Sequence, residues 1–169
     1  MFHTEPMART KQIPDSVILY SVLQRLLTEG ERAATFSAIA TATGLSAPAL
    51  VLRFGSQAQM CQAALRAAWA DLIERANVDL GTTKDVQNFL KNQSEHIDIP
   101  ALLTLSQRDH ITLAAATLWR NTLETNLARH YGSGPKGRNA AALVFAAWQG
   151  RLAWAEAGGK TFRLAEVIR

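Results

Sequence analysis

Apolar side chains recur every three or four residues along nearly the whole chain, and alternating polar and apolar runs are almost absent, which predicts an all-α protein. The first stripe, Ile18, Val22, Leu23, Leu26 and Leu27, marks one helix, with Asp15 placed to cap it and Gly30 to end it. A short helix with Phe36, Ile39 and Ala40 follows, capped by Thr35 and stopped before Gly44. Ser46 opens the next, where Pro48 is tolerated in the first turn because its missing amide would have no helical partner. After Gly55, Ser56 and Gln59 have the Ser-x-x-Gln spacing of a capping box, heading a longer helix through Leu65, Trp69, Leu72 and Ile73.

Further along, each break has a chemical marker. Gly81 to Thr83 separates that helix from one holding Val86, Phe89 and Leu90, and Pro100 begins a short helix through Leu102, Leu103 and Leu105. Asp109 caps a long helix running to His130 and ending at Gly132. The stretch GSGPKGR, 132–138, reads as a linker, after which Asn139 caps a strongly apolar helix ending near Gly158 and Gly159. Thr161 starts a last, short helix, for about nine in all.

Composition narrows the setting. A chain of 169 residues with 48% hydrophobic and 19% charged side chains has a globular balance. The single cysteine, Cys61, cannot form an internal disulfide, and MFHTEPMARTKQIPD lacks the apolar core of a secretory signal, so a reducing cytoplasm is expected. The apolar run AAALVFAAW, 140–148, is far short of the roughly 20 residues of a membrane span, so no membrane association is expected. Enzymatic chemistry finds little support. His3, His96, His110 and His130 include no i, i+4 pair and no Cys/His metal spacing, and GSGPKGR lacks the closing Lys-Ser/Thr of a phosphate loop. No catalytic residue, metal or cofactor is expected.

The tight Gly44-Leu45-Ser46 step before the third helix has the form of a helix-turn-helix. Residues 18–60 resemble, without a gap, the amino-terminal domain of the TetR family of transcriptional regulators. The resemblance runs from Ile18 through Gly30, Thr35, Ile39-Ala40, Gly44-Leu45-Ser46, Leu50 and Phe54 to Met60. The later AALVFAAWQGRLAWAEAGG is similar to the family's penultimate helix. This resemblance implies a DNA-binding head over residues 1–60 and a helical effector-binding and dimerisation domain over 61–169. It also implies a homodimer that reads a palindromic double-stranded operator, with half-sites roughly 34 to 36 Å apart, and that answers to a small-molecule effector, most simply as a repressor.

On these grounds the DNA contacts are expected from Thr35, Ser46, Ala47, Ala49, Val51, Arg53 and Gln57, with Arg9 and Lys11 on an amino-terminal arm. The amides opening the helices at Thr35 and Ser46 suit phosphate oxygens, and Arg53 is the foremost base or phosphate contact. The family commonly has tyrosine where Val51 stands and lysine where Gln57 stands, both phosphate contacts. Residues 1–60 carry five basic side chains (Arg9, Lys11, Arg25, Arg32, Arg53) against four acidic (Glu5, Asp15, Glu29, Glu31), a net of plus one. A shallow salt dependence of DNA affinity follows, because each neutralised phosphate contributes about 0.9 to the logarithmic slope. An effector pocket would be lined by Trp69, Phe89, Leu103, Trp119, Leu123, Phe145 and Trp148, which otherwise simply fill a core. Ala142, Ala146, Gly150, Ala153 and Ala157 recur at four- and three-residue steps and form a shallow stripe suited to a partner helix. The competing function is a helical dimer whose head no longer binds DNA, serving as a ligand-binding or protein-interaction module.

Overall fold

The computed structural model describes residues 13–77, 86–132 and 134–158. Among the described residues there is no strand, and the chain forms eight α-helices: α1 (Asp15–Glu29), α2 (Phe36–Thr43), α3 (Ala47–Phe54), α4 (Gln57–Ala76), α5 (Val86–Ser94), α6 (Ile99–Ser106), α7 (His110–Tyr131) and α8 (Pro135–Ala153). Single 3-10 turns occupy Glu31–Ala33 and Ala155–Ala157. The helix expected from Thr161, the break at Gly81 to Thr83, and the arm residues Arg9 and Lys11 all lie outside the described residues.

Capping chemistry sets most of the boundaries. Thr35 Oγ1 accepts from the Ala38 amide at 3.2 Å, Ser46 Oγ from Ala49 at 3.3 Å, and Asp109 Oδ2 from Thr112 at 3.0 Å. At α4 both halves of the capping box form: the Gln59 amide donates to Ser56 Oγ at 3.2 Å, and the Ser56 amide to Gln59 Oε1 at 3.0 Å. Each such cap stabilises its helix by about 1 kcal/mol.

Four boundaries differ from the sequence reading, one of them the end of α8, which falls at Ala153 rather than near Gly158 and Gly159. Asp15 is not the cap of α1 but its first helical residue, because its carboxylate is drawn to Arg53 and Pro14 takes the capping position. α6 is capped by Asp98, which accepts from the Ala101 amide at 3.0 Å, with Pro100 inside the first turn. α8 begins at Pro135 rather than at Asn139, so half of the supposed linker is helix. Proline at the first helical position loses no hydrogen bond and has its φ already set for a helix.

One hydrophobic core runs through the whole described chain. In the head, Ile18, Val22 and Leu26 of α1 meet Ile39 of α2, Leu50 of α3 and Met60 of α4, all buried. α4 is shared: it packs against both α1 and α7. The body core centres on Trp69, Trp119 and Trp148. Two of its buried polar groups pair across helices: Trp69 Nε1 donates to Ser106 Oγ at 2.8 Å, and Trp119 Nε1 to Gln93 Oε1 at 3.3 Å, whereas Gln149 Nε2 on α8 is buried with no partner among the described residues. Asn126 Nδ2 donates to the carbonyl of Ala76, tying α7 to the end of α4.

Candidate nucleic-acid interface

The chain turns through 112° between α2 and α3, across the three residues Gly44, Leu45 and Ser46. Both the angle and the length of the turn are those of a helix-turn-helix. Gly44 is left-handed, with φ of 73° and ψ of 12°, and its amide still reaches the Ala40 carbonyl at 2.9 Å. A side chain at Gly44 would be strained in that conformation, so glycine permits a turn this short. Leu50 is buried and Phe54 packs against the core, which fixes the face that α3 turns outward.

That outward face differs from expectation in chemistry. Val51 is 44% exposed and Leu52 89%, and Pro48 is exposed beside them. Ala47 and Ala49 are half-buried. Arg53 is not free. Its Nη1 donates to the Ile13 carbonyl at 2.9 Å and pairs with Asp15 Oδ1 at 3.2 Å, leaving the side chain 24% exposed. The expected principal contact is therefore a strut joining the end of α3 to the start of α1. Gln57 Nε2 donates to the Glu31 carbonyl at 3.3 Å, so its donor also faces the protein. Leu52 was missed by sequence reasoning, although its place relative to the inward Leu50 was informative. Two residues along a helix is about 200° of rotation, nearly the opposite side.

A small cavity of about 130 Å3 lies where the head meets the body, lined by Leu26, Cys61, Leu65, Leu105 and Arg108 among others. Across this seam Arg108 Nη1 pairs with Glu31 Oε2 at 3.3 Å. The Cys61 thiol is pushed up to about 11, first by burial and then by the nearby Glu31 carboxylate, and stays protonated at neutral pH.

In the body, five of the seven residues expected around an effector (Trp69, Phe89, Trp119, Leu123 and Trp148) are buried in the core, and Leu103 and Phe145 pack against it. Ring centroids lie 5.3 Å apart for Trp69–Trp119, 5.9 Å for Trp119–Phe145 and 6.2 Å for Trp119–Trp148. Their own rings fill the interior at these positions. Trp148 also lines a cleft of about 350 Å3 between α5 and α8, with Leu90 and Leu152 beside it and Lys91 and Arg151 among its polar groups. A second cleft of about 440 Å3, between α7 and α8, is lined by Asn121, Glu124, Thr125, Ala128, Arg129 and Arg138.

Among the described residues, no other helix covers the stripe on α8. Ala142, Ala146, Gly150 and Ala153 are exposed, as is Ala157 in the 3-10 turn beyond. Leu143 and Trp154 border the stripe at 68% and 64% exposure. No single helix among the described residues is long and apolar enough to cross a membrane. No family model matches the chain, and no curated protein or solved structure matches it at a significant level.

Proposed function

We propose that the chain is a ligand-responsive transcriptional regulator of TetR type, acting as a homodimer on a palindromic operator and most simply as a repressor. The observation that carries this reading is the three-helix head, with its 112° step across Gly44-Leu45-Ser46 and a second helix turned to solvent. The amides opening α2 and α3 suit phosphate oxygens. Pairing through the exposed α8 stripe would place two heads on one duplex. Because the aromatic interior is filled, the effector would enter the α5–α8 cleft against Trp148. It would act only by binding one separation of the heads better than another.

A second reading has its own support: the only donor-bearing side chain on α3, Arg53, is tied to α1, as expected of a head that has given up DNA for a protein partner. Selection of genomic fragments by the purified chain, at low and at moderate salt, decides between them. An enriched palindrome supports the regulator, with affinity falling only gently as salt rises. No enrichment at low salt leaves the interaction module.

A further inference from the structure

We propose that α3 reads its half-site chiefly through the C5-methyl groups of thymine, by apolar contact from Leu52, Val51 and Pro48. The inference rests on the head being a DNA reader and specifies what it reads. Three observations carry it. Pro48, Val51 and Leu52 stand at i, i+3 and i+4, so they share one face, and all three are exposed. Ala47, one turn before Val51, adds another methyl and no hydrogen-bonding atom. The remaining outward side chain, Arg53, has its Nη1 held by the Ile13 carbonyl and the Asp15 carboxylate.

Apart from Arg53, whose Nη1 is tied to α1, α3 has no side chain able to make the bidentate hydrogen bonds that identify guanine or adenine. Among the groups a base pair shows in the major groove, the apolar one is the thymine methyl. Seating Leu52 against it removes apolar surface from water on both sides. Seating Leu52 against the exposed amino group of cytosine, or the N7 and O6 acceptors of guanine, strips those groups of water and returns no partner. Attraction to thymine and rejection of G·C pairs therefore arise from the same side chain. The amides at the starts of α2 and α3 then position the helix on the backbone without contributing to choice.

The test uses the full chain and a duplex recovered by the genomic selection, with deoxyuridine replacing thymine at single positions of the half-site. Deoxyuridine keeps every base-pairing group and lacks only the methyl, and the protein is unaltered, so folding does not enter. At positions under α3, affinity is expected to fall about fourfold per methyl removed, the equivalent of one buried carbon. Leu52→Ala, at a solvent-facing position, is expected to bind the thymine duplex more weakly and to shrink the difference between thymine and deoxyuridine. Equal binding of both duplexes at every position by the unaltered protein overturns the inference while leaving the DNA-binding reading intact. Failure to recover any duplex at low salt overturns that reading and the inference with it.

Discussion

Gly150 lies in the body of α8, where alanine would be favoured by about 1 kcal/mol on helix propensity alone. A Cβ there would meet nothing within 4 Å, and the residue's φ is not positive. The protomer by itself gives no reason for glycine, so Gly150→Ala is expected to stabilise an isolated protomer by about 0.5–1 kcal/mol. For a chain of this length that raises Tm by roughly 1–4 °C. A partner helix crossing at the stripe reverses the sign. A methyl group inserted where two backbones approach overpacks the contact, at a cost of about 1–3 kcal/mol, and about 1.4 kcal/mol already weakens association tenfold. Sedimentation velocity over a range of concentrations, with melting curves at the lowest and highest, reads both effects. The variant is expected to dissociate at concentrations where the unaltered protein is paired, and to melt higher once both are monomeric. If its assembly is unchanged and Tm rises equally at every concentration, the stripe is bare surface and the dimer reading fails.

Gly137, on the same helix, is expected to behave oppositely: its Cβ would lie 1.4 Å from the Gly132 carbonyl oxygen, so Gly137→Ala must displace backbone. A loss of about 2 kcal/mol or more in urea unfolding is expected, and a neutral result would show that the turn into α8 is misplaced. Ser106→Ala leaves the indole N–H of Trp69 buried without its acceptor, at a cost of about 1–3 kcal/mol. Trp69→Phe removes the donor as well, so the double variant is expected to be less destabilised than the sum of the two, whereas strict additivity would deny the bond any role. Cys61 has an ordinary value of 9.0 raised to about 11, so stability is complete below pH 9 and falls between pH 9 and 11, by up to about 1.4 kcal/mol per pH unit. Cys61→Ala should flatten that window relative to the unaltered protein, and thiol reagents at pH 8 should react quickly only after urea is added.

Helix identity was legible because it rests on local chemistry that the sequence states outright. Thr35, Ser46, Ser56 and Asp109 cap in the structure as their spacing indicates, and Leu50 and Phe54 turn inward. The start of α8 was hidden because glycine and proline at 134 and 135 read equally as linker or as a helix opening. Candidate sites were less legible for a similar reason. Arg53 and Asp15 are 38 residues apart, and nothing along the chain indicates that they meet. Likewise the aromatic positions of α4, α7 and α8 were assigned inward correctly, but whether inward-facing rings enclose a space or close on one another depends on distances of an ångström or two.

Those closed rings also limit how an effector could reach the reading head. α4 is 20 residues long, about 30 Å, and its capping box secures the end nearest the head while Trp69 secures it within the body. A ligand in the α5–α8 cleft would reach α4 through Trp148 and its ring neighbours and through α5, which packs on α4, so it would tilt α4 as a rigid rod rather than bend it. The resistance to that tilt does not come from the exposed Arg108–Glu31 pair, which contributes about 0–1 kcal/mol at most. It comes from the buried packing of Leu26 and Leu65 beside the small cavity at Cys61. That cavity gives the buried side chains at the head–body seam room to shift. On the proposed function, coupling between effector and head would be governed by packing volume at Cys61 and its neighbours, and salt would alter it little.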